Sequence, residues 1–166
     1  MKYRELIIED FEVYNDLREM SLEVGREMFV STNDEERNNR KSKFTSRVQD
    51  DFSFIMGAFE GNTLIGIVTF VRENRIKIKH KGGIYGMFVN PNYQGKGIGS
   101  KLLSLTLEKT FEMEGLRQIN LGVMSTNLSA IKLYEKMGFK PYGMEKEAVF
   151  VNENFLDELF MVKLIG

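Results

Sequence analysis

The spacing of apolar and polar residues changes along the chain and predicts an order of helices and strands. Residues 3–8 predict a short strand, and residues 10–29 a helix with Asp10 as its N-cap. A second, polar helix is predicted from about Thr32 to Val48. Its basic run is expected to be a solvated face, and a surface for a substrate or partner is the alternative. That run comprises Arg37, Arg40, Lys41, Lys43 and Arg47.

Strand-like segments follow and predict two hairpins. The first joins residues 52–59 to residues 64–71, and the second joins residues 75–79 to residues 84–89 through Gly82-Gly83. The later segments are predicted as a helix at 99–113, a strand at 119–123, a helix at 128–137 and closing strands at 142–151 and 155–164. This order indicates a mixed α/β (α+β) fold, and 166 residues are expected to form a single domain, 1–166.

Composition and charge exclude several classes of function. Lys and Arg total 23 against 24 Asp and Glu, so neither nucleic acid nor an anionic membrane is expected as the main partner. The absence of cysteine excludes disulfides and thiolate chemistry, and a single histidine, His80, cannot build a multi-histidine metal site. No metal is expected. No signal-peptide core or membrane-length apolar run is present, so the expected location is the cytoplasm.

A glycine-rich segment follows the strand that ends at Val89. Gly95, Gly97 and Gly99 lead directly into a predicted helix. Glycine lets backbone N–H groups close around an anion, and the helix N-terminus adds unpaired donors and a positive dipole end. The pattern therefore predicts a cradle for a pyrophosphate, with Lys96 adding an electrostatic contact. The alternative is a flexible turn followed by tight helix packing.

A second segment, Asn127 to Phe139, follows the next predicted strand. Asn127 can cap the helix and also offer its amide to a ligand, and Tyr134 lies two turns further on. Taken alone, Asn127 is a plain N-cap and Tyr134 a half-buried core tyrosine.

Together the two segments resemble a known family. Gln94-x-x-Gly97-x-Gly99 resembles the [RQ]-x-x-G-x-[GA] coenzyme A motif of the GNAT superfamily of N-acetyltransferases, and residues 127–139 are similar to that family's following strand–helix block. The resemblance extends from about residue 3 to residue 164. It implies a GNAT-like, mostly antiparallel central sheet that is splayed at the strand ending near Val89, with helices on both faces.

The resemblance also implies a reaction, the direct transfer of an acetyl group from acetyl-CoA to a primary amine. Backbone groups of residues 87–89 would pair with the pantetheine arm, and the amides of residues 95–100 would hold the pyrophosphate. Tyr134 would be the catalytic acid beside the sulfur. The implied cofactor-binding set is Met87, Phe88, Val89, Gln94, Gly95, Lys96, Gly97, Ile98, Gly99, Ser100, Asn127 and Tyr134.

The general base departs from the family pattern. Many relatives carry a glutamate on the strand that leads to the splay or on the next strand. The matching positions here hold Gly83-Ile84 and Gly122, with no carboxylate. The candidates that remain, with none preferred, are Glu145, Asp157, Glu73, His80 and a chain of waters.

The acceptor is expected to enter between the N-terminal helices and the closing hairpin. That hairpin is rich in acidic residues, which would suit a small cationic amine such as a polyamine, an amino acid or an aminoglycoside. These residues are Glu145, Glu147, Glu153, Asp157 and Glu158. Acetylation of a protein N-terminus or lysine is a second hypothesis. A non-catalytic acyl-CoA-binding regulatory domain is a third, and it would not need Tyr134. The sequence leaves open whether the protein forms a homodimer.

Overall fold

Seven strands form one sheet, in the order β1-β2-β3-β4-β5-β7-β6, in the computed structural model, which describes residues 1–166. The strands are β1 (Lys2–Glu5), β2 (Ser53–Glu60), β3 (Thr63–Arg72), β4 (Lys81–Val89), β5 (Gln118–Met124), β6 (Lys140–Val151) and β7 (Asn154–Leu164). All neighbours are antiparallel except β4 and β5, which run parallel. The prediction of a mixed, mostly antiparallel sheet is confirmed.

Helices cover both faces of the sheet, as predicted. They are α1 (Phe11–Val24), α2 (Asn33–Glu36), α3 (Arg40–Gln49), α4 (Ile98–Phe111) and α5 (Leu128–Lys136). Leu102 and Leu103 of α4 and Tyr134 of α5 belong to a buried cluster of 18 residues. Leu17 of α1 and Phe44 of α3 belong to a separate buried cluster of 8 residues. No helix is both long enough and apolar enough to cross a bilayer.

The sheet opens between its two parallel strands. Only Lys81–Gly83 of β4 pair with β5, whereas β5 pairs with β7 along its whole length. Further along β4, Gly86 adopts a φ of 57° at an irregularity in the β3–β4 register, where two residues lie opposite Val68 alone. Such a bulge bends a strand and increases its local twist. The splay that was predicted near the end of β4 is therefore present and begins after Gly83.

The prediction of a second hairpin through Gly82-Gly83 is wrong. Residues 75–79 form no strand, and the loop of residues 73–80 joins β3 to β4, which pair directly. Gly82 and Gly83 lie inside β4, where a methyl group on Gly82 would overlap the ring of Phe70 and one on Gly83 would overlap the ring of Tyr85. Gly82 is therefore required for close packing rather than for a turn, because the Phe70 ring is buried, whereas Gly83 lies beside the exposed ring of Tyr85.

Replacing Gly82 with alanine is expected to lower the free energy of unfolding by about 1–3 kcal/mol, because the Phe70 ring is fully buried and cannot move aside. Gly143→Ala is the matched control, since a methyl group there meets no atom within 4 Å. It should change the free energy by less than about 0.5 kcal/mol. Urea denaturation of both variants measures the difference. Equal, small effects would contradict the packing role of Gly82.

The N-terminal region departs from the prediction in four respects. The first helix ends at Val24 rather than near residue 29, and the predicted polar helix is divided into α2 and α3. Asp10 precedes α1 but does not cap it, because its carboxylate accepts hydrogen bonds from Arg4 and from the Ile7 N–H. Arg40 is not solvated: it is 3% exposed and donates to Glu36 and to two asparagines. Its ion pair with Glu36 links α2 to α3.

Candidate active site

A cavity of about 640 Å³ occupies the gap between β4 and β5. The N-terminus of α4, the helix α5 and the loop residues 28–31 complete its walls. Every residue of the predicted cofactor-binding set lines this cavity except Lys96. The ammonium of Lys96 lies outside it, 5.1 Å from the centre of the Tyr93 ring at the cavity wall. The structure thus brings two segments about 30 residues apart to one continuous space.

The N-terminus of α4 presents unused donors to the cavity. Gly95 and Gly97 adopt φ angles of 76° and 79°, a region that strongly favours glycine. A methyl group at either position would meet no atom within 4 Å, so open space remains beside the backbone. Gly97 is the N-cap and offers no side chain to the first helical turn. The first N–H that bonds within this turn belongs to Lys101, which leaves the amides of residues 98–100 for an anion.

Backbone groups of β4 also face the gap without a strand partner. From Ile84 to Val89 no residue pairs with β5, so the donors and acceptors on that edge are available to an extended ligand. The carbonyl of Val89 is an exception, because it accepts a hydrogen bond of 3.0 Å from the Gln94 side-chain amide. Gln94 therefore also ties the glycine-rich loop to the end of β4.

Asn127 caps α5, as its sequence position predicted. Its side-chain oxygen accepts from the Ala130 N–H at 3.3 Å and from the Ser129 hydroxyl at 3.3 Å, which caps α5. The side-chain NH₂ of Asn127 donates to no group of the chain. Because Asn127 lines the cavity, this NH₂ group is free to donate to a ligand there.

Tyr134 places a buried phenol at the cavity wall. It is 7% exposed, and its ring packs edge-on against Phe139 at 5.9 Å between centroids. Its hydroxyl donates only to the sulfur of Met87, 3.6 Å away, which is a weak acceptor. Burial raises the pKa of Tyr134 to about 12, so the phenol keeps its proton at neutral pH. It can act as a proton donor but not as a base.

None of the four side chains proposed as the base lies in the cavity. Asp157 accepts from the Lys146 ammonium at 3.1 Å and from the Glu147 N–H at 2.9 Å. These bonds lower the pKa of Asp157, which makes it a poorer base. His80 directly precedes β4, at the end of the gap where β4 and β5 are still paired. Glu73 lies in the loop before β4, and Glu145 is exposed on β6.

Two charged residues line the cavity: Arg18, which the sequence did not indicate, and Glu158, which the sequence indicated only as one of the acidic residues of the closing hairpin. The carboxylate of Glu158, on β7, lies directly over Gly122, where a methyl group would overlap it. Burial and then the charge of Glu145 raise the pKa of Glu158. A glycine inside a strand indicates that another group approaches the backbone closely, so Gly122 was the sequence signal from which a side chain at this position could have been predicted.

Arg18 connects the loop wall of the cavity to the splayed strand. Its guanidinium donates to Glu36 at 2.7 Å and stacks 4.9 Å from the centre of the Phe29 ring. Its Nη1 atom has no hydrogen-bond partner and lies against Gly86 of the bulge. Arg18 therefore joins α1 to α2 through Glu36 and to the loop of residues 28–31 through Phe29, and it lies against the bulge of β4.

Comparisons with known proteins agree with this architecture. Over 94 residues the chain is 33% identical to the spermidine N(1)-acetyltransferase of Vibrio cholerae, a match that covers 57% of this chain and 53% of that protein. The chain spans about half the length of the curated relatives it matches.

Solved structures match almost the whole chain. A GNAT-family acetyltransferase from Streptococcus pneumoniae has a TM-score of 0.88 and 25% identity, with 99% of each chain covered. A GNAT superfamily phosphinothricin acetyltransferase from Sinorhizobium meliloti, solved in complex with acetyl-CoA, shares the fold. Its TM-score is 0.80 at 23% identity, over 99% of this chain and 88% of that one.

The family model described as the acetyltransferase (GNAT) family matches residues 12–139, a segment that contains all of α1 but its first residue, the splayed strands and both cavity-lining helices. The resemblance inferred from the two sequence segments is confirmed. This chain belongs to the GNAT acetyltransferase family.

Proposed function

We propose that the protein transfers the acetyl group of acetyl-CoA directly to a primary amine of a small cationic molecule, with a polyamine as the preferred acceptor. In this proposal residues 1–166 act as a single N-acetyltransferase domain. The observation that carries the proposal is the continuity of the cavity, which runs from the free amides at the start of α4, along the unpaired edge of β4, to the hydroxyl of Tyr134.

The residues present fit coenzyme A. Free amides of residues 98–100 and the positive end of the α4 dipole suit a pyrophosphate. The unpaired edge of β4 and the Asn127 amide suit the peptide-like pantetheine arm, which needs both donors and acceptors. Acetyl-CoA, when bound, would supply a thioester whose carbonyl carbon accepts the amine. We assign the cofactor-binding role to the eleven residues of the predicted set that line the cavity, and Lys96 to its rim.

Aminolysis of a thioester needs a base that takes a proton from the amine and an acid that gives a proton to the leaving sulfur. The second of these needs is met by a residue of the predicted site. Tyr134 is suited to that role because its pKa of about 12 keeps it protonated and its hydroxyl has only a weak acceptor in the chain. An N–H in the bulge of β4 is suited to stabilise the oxyanion. No acetyl-enzyme intermediate is part of this proposal.

The choice of a polyamine rests on charge and on relatives. A carboxylate, Glu158, lines the acceptor side of the cavity, and Glu145 lies opposite it on the neighbouring strand. Several relatives are named as spermidine or spermine N(1)-acetyltransferases. A polyamine carries several positive charges at neutral pH, which such a negatively charged entrance would attract.

Two measurements on the purified protein test the proposal. Calorimetry with acetyl-CoA measures binding, and thiol release measures turnover with spermidine, spermine, amino acids, an aminoglycoside and peptides. Binding together with fastest turnover of a polyamine is the expected result. Turnover of peptides alone would replace the polyamine with a protein acceptor. Binding without any turnover would favour a regulatory acyl-CoA-binding role, and no binding would overturn the proposal.

A further inference from the structure

We propose that Glu158 is the general base of the reaction and also the carboxylate that receives the acceptor's ammonium group, reaching the active site from β7 across Gly122. This inference rests on the proposed function. It supplies the carboxylate that neither β4 nor β5 carries at the matching positions, Gly83-Ile84 and Gly122.

The first argument is steric. Gly122 of β5 lines the cavity, and any side chain there would overlap the carboxylate of Glu158. The pair can be understood as one unit in which the glycine on β5 provides the space and the glutamate on β7 provides the functional group. The antiparallel register of these strands, which pairs Gly122 with Phe160 and Met124 with Glu158, sets Glu158 two residues away along the partner strand.

The second argument is that this carboxylate is free. Glu158 takes part in no hydrogen bond and no ion pair within the chain, although it is half-buried. Its neighbour Asp157 points to the opposite face of β7, as alternate strand residues do, and is occupied by Lys146 and the Glu147 N–H. An unpartnered, half-buried carboxylate in a cavity is suited to bind a cation and to accept a proton from it.

The proton balance of the step is complete with two residues. The ammonium group first gives one proton to the Glu158 carboxylate, which passes it to solvent and leaves a neutral amine. The amine nitrogen then forms the new C–N bond and gives its second proton to Glu158, while the C–S bond breaks with its electron pair leaving on sulfur and the Tyr134 hydroxyl gives a proton to the sulfur. Solvent carries the second proton from Glu158 back to Tyr134, so that one ammonium group and one thioester yield one amide, one thiol and one proton in solvent.

The charged and titratable groups that face Glu158 are few. Glu145 lies opposite it on β6, and the other charged or titratable residues that line the cavity are Arg18, Tyr85, Tyr93 and Tyr134. Arg18 is paired with Glu36. Burial raises the pKa of Tyr85 and of Tyr134, and the hydrogen bond to Glu60 raises the pKa of Tyr93, so all three tyrosines stay protonated at neutral pH. The mutual repulsion of Glu145 and Glu158 is relieved when a cation lies between them, which favours acceptors with more than one positive charge.

The test compares Glu158→Gln with the wild type across pH, using one amine, so that titration of the amine cancels in the ratio of their kcat/KM values. We expect the kcat/KM of the wild type to exceed that of Glu158→Gln by about 10- to 100-fold at neutral pH. This ratio should fall toward 1 as the pH drops through the pKa of Glu158. Asp157→Asn, which removes the neighbouring carboxylate, should keep the wild-type profile. Glu145→Gln should stay active with its acidic limb moved to lower pH, because the like charge that raises the pKa of Glu158 is gone.

Gly122→Ala provides a second test, because this variant keeps Glu158 but its new methyl group displaces the carboxylate. It should lose kcat/KM to a similar extent while acetyl-CoA affinity stays within about threefold, as measured by calorimetry. A pH-independent ratio for Glu158→Gln in an active wild type would overturn only the role of Glu158. An inactive wild type that still binds acetyl-CoA would overturn the catalytic proposal as well.

Discussion

Replacing Tyr134 with phenylalanine is expected to lower kcat by about 10²- to 10³-fold and to leave the affinity for acetyl-CoA within about threefold. The substitution removes only the hydroxyl, whose single partner in the chain is the weak acceptor Met87, and the packing on Phe139 is kept. The loss therefore reports the proton that the departing sulfur needs. Thiol release under saturating acetyl-CoA measures kcat, and calorimetry measures affinity.

Tyr142→Phe is the matched control for this prediction. Tyr142 is 60% exposed on β6 and does not line the cavity, so its variant should keep the wild-type kcat. The pH profile gives an independent check. An acid must be protonated to act, and with a pKa of about 12 Tyr134 should cause no fall in rate between about pH 7 and pH 10. An unchanged kcat in Tyr134→Phe would assign the proton to water instead.

Replacing Gly97 with aspartate is expected to weaken acetyl-CoA binding by about 100-fold, because a negative charge would stand at the proposed pyrophosphate site. Asparagine is the matched control, since it has the same shape and the same tolerance of the φ of 79° but carries no charge. It should weaken binding by only about tenfold. Calorimetry of both variants gives the comparison.

The ligand-free proteins should rank in the opposite order. A carboxylate at the start of α4 interacts favourably with the helix dipole, so the aspartate variant should melt at or above the temperature of the asparagine variant. Affinity and stability that change in opposite directions cannot result from misfolding. Equal affinities for the two variants would place the phosphates elsewhere.

The parts of the site that lie close together in sequence could be predicted from it. The glycines at 95–99 and the Asn127–Tyr134 segment are local patterns whose chemistry depends on a strand end, a turn and a helix start. The parallel pair of strands that brings the two segments together came from the family resemblance.

The errors arose where a residue's role depends on a distant partner. Gly82 was assigned to a turn because its actual reason, the Phe70 ring on β3, is a tertiary contact. Arg40 was predicted to be solvated because its partners lie outside α3: Glu36 is in α2 and Asn15 is in α1. Glu158 was seen only as part of an acidic hairpin, since its position over Gly122 depends on the register between β5 and β7. Such registers are set by the whole sheet and not by local sequence.

The short junction between β4 and β5 has a consequence for the lifetime of the protein. Within the sheet, only three residue pairs join β1–β4 to β5–β7, although α4 and α5 cover both parts from one face. A pantetheine arm hydrogen-bonded in the gap would act as a reversible cross-link between the two parts. At a ligand concentration of 100 times Kd, binding adds about 2.7 kcal/mol to the folded state. Under the proposed function, a cell poor in acetyl-CoA would therefore hold a form of this protein that opens and is degraded sooner, so that the abundance of the protein would follow the supply of acetyl-CoA.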